Sequence, residues 1–142
     1  MDKAYQFVRR GLNVLDYIGY NITDDHMLFP YICCSYHFVT DRVRQFIGRE
    51  CPNKAEGAEK LLQIVVNIAA KDIIDIGCAK SPSLKHCEDK HPDVIKNIKA
   101  ARLLKSPRLE NRSFVKPILA IADRLSPPED LRRRTRSLIP KN

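Results

Sequence analysis

The chain contains 142 residues, of which 44% are hydrophobic and 30% are charged, and it has no low-complexity tract. A chain of this length can bury roughly two-thirds of the surface that it exposes when unfolded, so the composition excludes an intrinsically disordered protein and allows one domain with a core. Five glycines and no tryptophan disfavour a β-sandwich or a propeller. No apolar run reaches the ~18 residues that a bilayer span requires, so we expect no membrane insertion.

The positive charge is concentrated at the C-terminus. The net charge is +8, from 25 basic and 17 acidic residues, and the last eleven residues contain five basic side chains and no acidic one. Residues 1–131 therefore have 20 basic and 17 acidic side chains, a charge of only +3. The Pro127-Pro128 break predicts a helical domain over residues 1–126 and a flexible basic tail over residues 127–142. The tail is either a solvated chain end or an arm that docks on a polyanion or on an acidic receptor patch.

Helical periodicity dominates the N-terminal third. The apolar residues of a first amphipathic helix recur at spacings of three and four: Tyr5, Val8, Leu12, Leu15 and Ile18. Gly19 is expected to end this helix, and Thr23, Asp24 or Asp25 to cap the next one. The second helix is expected to begin near Met27. Pro30 would then lie in its first turn, where the missing N–H donor costs nothing. A break within residues 35–40 is an alternative.

The most apolar part of the chain lies in its middle. Asn53 is expected to cap a third helix from Lys54 to Ile76, and Gly77 to end it in a left-handed conformation. Residues 61–70 are apolar on nearly every side of this helix, and a helix without a polar face must be covered by other helices or by a second subunit. A short buried strand within residues 63–68 is the competing interpretation. We infer that one small chain cannot cover this segment alone, which predicts a homodimer.

The C-terminal half continues the helical pattern. Residues 78–90 are expected to form a loop, after which His91-Pro92-Asp93 begins a helix that ends before Pro107. A last helix is expected to begin at Asn111. Its apolar residues share one stripe: Phe114, Val115, Ile118, Leu119, Ala122 and Leu125. Five to six helices joined by short connections predict an all-α, cytokine-type helical bundle.

Two glycosylation sequons bear on the compartment. Asn21-Ile22-Thr23 and Asn111-Arg112-Ser113 both match the acceptor pattern, and each lies beside an expected helix start. Residues 1–8 are predicted to be helical and lack the apolar core of a signal peptide, so the chain is either cytosolic or a mature secreted form with an added Met1. The two sequons favour secretion and an extracellular location, with Asn21 and Asn111 as the glycosylated residues.

The five cysteines leave several arrangements open. An odd number leaves at least one thiol free or paired between chains. Cys33 and Cys34 are neighbours on a helix and point to different sides, so they are poor partners for each other. Cys78 and Cys87 bracket a loop that a disulfide between them would close. The alternative for most of the five, including Cys51, is a small buried apolar side chain.

No motif indicates catalysis. The chain contains no Gly-rich phosphate loop, no G-x-S-x-G and no H-E-x-x-H, and Asp72 and Asp75 are interpreted as surface charges. One group has a weak likeness to a zinc site but lacks a C-x-x-C pair: Cys78, His86, Cys87 and His91. We therefore expect no enzyme, no cofactor and no metal, and a thiol or metal enzyme is the weakest alternative. Aromatic residues do not alternate with the basic cluster, so no platform for nucleic-acid bases is evident.

Three segments together resemble interferon gamma, the type II interferon, in a divergent form. The first helix runs into a polar loop and a Leu-Phe pair at residues 17–29, YIGYNITDDHMLF. The entry to the last helix, at residues 111–116, is NRSFVK. The end of that helix and the tail contain IADRLSP at 121–127 and RRRTRS at 132–137. The resemblance covers both ends of the chain, whereas the five cysteines and Pro117 depart from the family pattern.

The resemblance implies a secreted cytokine, an intertwined all-α homodimer in which the C-terminal helices of each chain pack into its partner. It implies receptor contacts on the first helix and on the loop after it. The corresponding residues are Asn21, Ile22, Thr23, Asp24 and Asp25, together with Lys116, where the family has a receptor-contacting histidine. It also implies that the tail binds receptor or heparan sulfate through Arg132, Arg133, Arg134 and Arg136.

The sequence thus predicts a secreted, interferon-gamma-like cytokine that binds a cell-surface receptor as a homodimer and triggers antiviral and immune signalling. The alternative is an intracellular helical adaptor or nucleic-acid-binding protein whose basic tail docks on phosphate groups. This alternative requires reduced cysteines and unmodified sequons.

Overall fold

Long helices form the body of the protein in the computed structural model, which describes residues 3–104 and 115–125. The helices are α1 (Lys3–Asn21), α2 (Asp25–Glu50), a short 3-10 helix (Pro52–Lys54), α3 (Ala55–Gly77), α4 (Leu84–Lys90), α5 (Pro92–Ala101) and α6 (Val115–Leu125). The prediction of an all-α fold is confirmed. The described ranges contain seven helical segments, rather than five or six, and no strand, so the strand considered within residues 63–68 is wrong.

Helix α2 is the central element, because α1, α3, α4 and α5 all pack against it. Its start was predicted from the capping residues. The Asp24 Oδ1 atom accepts a hydrogen bond from the His26 N–H at 2.9 Å, which satisfies one of the free donors of the first turn. Because α2 already begins at Asp25, Pro30 is the sixth residue of the helix rather than a first-turn residue. The helix is continuous through residues 35–40, where a break was the alternative.

The core lies between α1, α2 and the helix pair α4–α5. Its buried apolar residues are Val14, Ile18, Ile22, Leu28, Tyr31, Cys34, Phe38, Cys87, Val94, Ile95 and Ile98. Only the C-terminal part of the predicted α1 stripe reaches this core, since Tyr5 and Val8 are exposed while Ile18 is buried. Tyr31 of α2 accepts a hydrogen bond at its hydroxyl from Asn97 Nδ2 of α5 at 2.7 Å. Polar contacts thus complete the packing of α5 on α2.

Two disulfides hold α3 and α4 on α2. Cys33 is bonded to Cys78 just after α3, and Cys34 is bonded to Cys87 of α4, with Cα–Cα distances of 5.4 and 5.6 Å. Successive residues of a helix point about 100° apart, so the two neighbours reach different elements, and the prediction that they do not pair with each other is confirmed. The suggested Cys78–Cys87 closure is wrong. Crosslinking residues this far apart in sequence stabilises a fold by about 4 kcal/mol in the chain-entropy account.

The segment expected to be a loop after α3 contains α4. Ser83 caps this helix, because its Oγ accepts a hydrogen bond from the His86 N–H at 3.1 Å. The preceding turn is held to α2 by the His37 ring, whose Nε2 lies 2.8 Å from the Ser81 carbonyl oxygen. Helix α4 brings the Cys87 sulfur into the core. Helix α5 begins at Pro92, as predicted.

Of the two glycines expected to end helices, Gly77 is the last residue of α3, as predicted, whereas Gly19 does not end α1; both glycines mark close contacts between elements. Helix α1 continues past Gly19 to Asn21, and a Cβ atom at Gly19 would lie 3.1 Å from the carbonyl oxygen of Pro117 in α6. A Cβ atom at Gly77 would lie 3.0 Å from the Phe29 ring of α2, and Gly77 does not adopt a left-handed conformation. The expected Asn53 cap is also wrong, since α3 begins after Lys54 without a side-chain cap.

Helix α6 packs against α1 of the same chain. Pro117 is buried beside Gly19, and Ile121 contacts the core. Arg124 donates from Nη2 and Nε to Asp25 Oδ1, at 2.6 and 3.0 Å, and from Nη1 to the carbonyl oxygen of Ile22. The described part of the C-terminal helix therefore lies on its own chain, whereas the family resemblance implied packing into a partner. The expected helix start at Asn111 and the tail over residues 127–142 lie outside the described residues.

The substitution Gly19→Ala is expected to lower the free energy of unfolding by about 1–3 kcal/mol, because the new methyl group meets the backbone of α6. Urea denaturation measures the change. The matched control is Gly11→Ala in the same helix, where nothing lies within 4 Å of the new Cβ atom. The control should be neutral or stabilising, since alanine favours a helix more than glycine does. Equal destabilisation by both substitutions would contradict the α1–α6 contact.

Alkylation of the unreduced protein is expected to label Cys51 and no other cysteine, since Cys51 is exposed and the other four are in disulfides. Mass spectrometry of the digested protein, with fragmentation between Cys33 and Cys34, identifies the pairing. A peptide that links Cys78 to Cys87 would show that the described pairing is incorrect.

Candidate interaction surfaces

The segment predicted to contact a receptor lies at the junction of α1 and α2. Asn21 and Thr23 are exposed there, so the sequon is open to solvent. Ile22 is only 8% exposed and belongs to the core, so its side chain packs inside the single chain, unlike those of its neighbours. Asp24 and Asp25 are exposed but already have partners, the first as the cap of α2 and the second as the ion-pair partner of Arg124. The junction therefore presents mainly hydrophilic groups.

Lys116 lies near this junction although it is distant in sequence. It is exposed and directly precedes Pro117, which packs against Gly19 near the end of α1. The fold thus brings Lys116 to the same end of the molecule as Asn21. The remaining predicted site residues lie outside the described residues: Asn111, Arg132, Arg133, Arg134 and Arg136.

The middle of α3 presents an exposed apolar face. Leu61, Ile64, Val65 and Ile68 follow one another at spacings that place them on one side of the helix. All four are exposed, Leu61 at 62% and Ile68 at 83%. Within the described part of the chain, α3 packs mainly against α2 and the 3-10 helix, on its opposite side. Contiguous exposed apolar surface of this kind is typical of an interaction site.

A second apolar face lies on α6. The stripe predicted from its sequence points away from the core, because α6 contacts the rest of the chain through Pro117, Ile121 and Arg124. The exposed residues of the stripe are Val115, Ile118, Leu119 and Leu125. Helix α6 is therefore apolar on the side that faces away from the described core.

A cleft that the sequence did not indicate lies between α1, α2 and the end of α5. It encloses about 470 Å³. Its lining residues are Lys3, Gln6, Phe7, Arg10, Arg42, Phe46, Arg49, Glu50 and Arg102. We call this feature the arginine cleft. Its basic residues come from three helical regions that lie far apart in the sequence, so only the fold makes them a cluster.

The electrostatics of the arginine cleft are dominated by like charges. Burial lowers the pKa of Arg102, and the positive charges of Arg42 and Arg10 lower it further, although the group stays protonated at neutral pH. The guanidinium carbon atoms of Arg42 and Arg102 each lie 5.3 Å from the centre of the Phe38 ring. Among the described residues, no carboxylate forms an ion pair with any of the four arginines.

The residues considered for catalysis or metal binding have other roles. The sulfurs of Cys78 and Cys87 are in disulfides and offer no thiolate, which removes the basis of the weak zinc pattern and of a thiol enzyme. No group of ligating side chains in the described ranges could hold a metal ion. Asp72 and Asp75 are exposed on α3, in agreement with their interpretation as surface charges.

Comparisons of the chain with protein-family models, with curated proteins and with solved structures found no match. Among the described helices, none has the length and apolar character needed to cross a membrane.

Proposed function

We propose that this protein is a secreted signalling protein of the interferon-gamma type, which pairs with a second copy of itself and acts by binding a cell-surface receptor. The observation that carries the proposal is the exposed apolar face of α3 in a chain whose core is crosslinked by two disulfides. Such a chain keeps its own fold and still exposes a surface that needs a partner.

The disulfides support the extracellular location. Disulfides form and persist in oxidising compartments and are rare in the cytosol. The intracellular alternative requires reduced cysteines, whereas four of the five are paired in the structure. The exposed Asn21 and Thr23 are accessible to glycosylation, which occurs in the same secretory compartments.

A second copy is the partner that the α3 face fits best. The spacing of Leu61, Ile64, Val65 and Ile68 matches the apolar seam of paired helices. Two identical seams are self-complementary across a twofold axis, so a dimer covers both faces with one contact. Fully burying one such side chain is worth about 1.5–3 kcal/mol relative to leaving it exposed. The dimer requires no exchange of C-terminal helices, because α6 already packs on its own chain.

We assign the receptor to a different surface, which comprises the exposed residues of the α1–α2 junction, Lys116 and the apolar face of α6. Apolar groups combined with a polar rim are common in protein interfaces. The basic tail is the further element that the resemblance assigns to receptor or heparan sulfate binding. In this proposal α3 holds the dimer together, which leaves the junction of each copy available to one receptor chain.

The substitution Ile68→Asp is expected to convert a dimer into a monomer without unfolding it. The residue is 83% exposed in the single chain, so a carboxylate costs little there but is costly within an apolar seam. Light scattering coupled to gel filtration measures the mass. The matched control is Gln63→Asp, which adds the same charge at an exposed polar position of the same helix and should remain dimeric. A wild-type protein that is monomeric at micromolar concentration would refute the pairing.

Expression in a secreting eukaryotic cell, with a signal peptide supplied, is expected to yield protein that has a glycan at Asn21, because Asn21 and Thr23 are both exposed. Mass spectrometry before and after glycosidase treatment detects the glycan. The Asn21→Gln variant should lose one glycan mass and keep the same disulfides. Secreted protein with an unmodified Asn21 would remove this support for the proposal.

A further inference from the structure

We propose that the arginine cleft binds a small polyanion with at least two phosphate or sulfate groups. This inference does not rest on the proposed receptor or on the dimer. It concerns a different part of the surface, formed by the N-terminal half of α1, the C-terminal half of α2 and the end of α5.

Among the described residues, the cleft holds four arginine charges together, and no carboxylate is ion-paired with any of them. Arg10, Arg42 and Arg102 lie close enough for the first two charges to lower the pKa of the third. The acidic Glu50 is the one carboxylate among the lining residues, and its Oε1 is paired with Lys3 Nζ at 3.3 Å. Keeping such a group of cations close is unfavourable in the free protein, so an anion that enters the cleft removes repulsion as well as adding attraction.

The arginines are also oriented by the protein. Asn13 is buried, and its Nδ2 donates to the carbonyl oxygens of Arg102 and Leu104 at 3.0 and 2.6 Å, which fixes the end of α5 against α1. The Phe38 ring supports the guanidinium groups of both Arg42 and Arg102. Side chains that are held in this way lose little further freedom when a ligand binds.

Hydrogen-bond donors remain available for an oxyanion. Arg42 donates from Nη1 to Gln45 Oε1 at 3.2 Å, but its buried Nε has no hydrogen-bond partner in the described part of the chain. A buried donor without a partner is unfavourable in the free protein. A phosphate or sulfate oxygen would satisfy it after rotation of the Arg42 side chain, whereas the exposed side chains of Arg10 and Arg49 are accessible directly. Guanidinium groups bind the tetrahedral oxyanions of phosphate and sulfate in a two-pronged geometry, which selects these groups over a simple halide.

The dimensions and charge favour a compact ligand with more than one anionic group. A cleft of about 470 Å³ has the size of a small-molecule site. Four arginines line it, and Lys3 and Glu50 already balance each other, so a single phosphate or sulfate would leave about half or more of the positive charge without a counterion. Phe7 and Phe46, with ring centres 5.0 Å apart, form an apolar wall beside the arginines.

The test uses the full-length, disulfide-intact protein and two probes, tripolyphosphate and sucrose octasulfate, at one low ionic strength. Isothermal titration calorimetry should detect one site per chain for at least one probe. The double variant Arg10→Gln/Arg49→Gln should bind about tenfold or more weakly, because it removes two charge-assisted contacts. Both arginines are exposed, so the fold should persist, and circular dichroism verifies this.

The matched control is Lys80→Gln/Lys85→Gln, which removes the same charge from exposed positions that do not line the cleft. Its affinity should stay within about twofold of the wild type, since distant surface charges are screened. The basic tail is present in every variant and contributes equally to all of them. Tighter binding of the phosphate probe identifies a phosphorylated ligand, and tighter binding of the sulfate probe identifies a sulfated one. Equal losses in the two double variants, or no binding of either probe, would overturn the proposal.

Discussion

The fold depends on two crosslinks that originate from neighbouring residues of one helix. Cys33 and Cys34 point in different directions from α2, and their disulfides attach the end of α3 and the middle of α4 to it. The sulfurs of both pairs are buried, and Cys34 and Cys87 are part of the core. Because the Cys33–Cys78 disulfide holds α3 at its C-terminal end, the middle of that helix does not have to be buried in order for the helix to stay in place.

This covalent attachment explains how the chain tolerates its exposed apolar surface. A helix that is apolar on nearly every side is ordinarily buried on all sides. Here α3 packs one side on α2 and leaves Leu61, Ile64, Val65 and Ile68 uncovered, and α6 leaves a similar stripe uncovered on another side of the molecule. Both helices have a packed side that maintains the fold and an apolar side that remains for a partner. Fold stability and partner binding are thereby assigned to different sides of the same helices.

The charged residues are also distributed unevenly over the protein. The net charge of residues 1–131 is only +3, but the fold places Arg10, Arg42, Arg49 and Arg102 around one cleft. Among the described acidic residues, Glu50 alone lines the cleft, and several of the others have structural roles: Asp24 caps α2, Asp25 pairs with Arg124, and Glu59 pairs with Arg44. Residues 1–131 therefore have a small net charge but form a cleft with a high local positive charge. Such a site is costly to maintain in the free protein, which is a physical reason to expect a ligand there.

The sequence by itself determined the features that depend on near neighbours along the chain. Helical periodicity, the cap at Asp24 and the start of α5 at Pro92 are local, so they were predicted correctly. The apolar segment at residues 61–70 was also recognisable from the sequence, because it contains more apolar residues than one face of a helix can hold. Tertiary structure alone decided which cysteines pair, that Ile22 is buried, and that Gly19 and Gly77 mark close contacts between helices. It alone assembled the arginine cleft as well. These outcomes depend on distances between groups that lie tens of residues apart in the sequence. The packing of the helices sets those distances, and a local sequence pattern does not determine that packing.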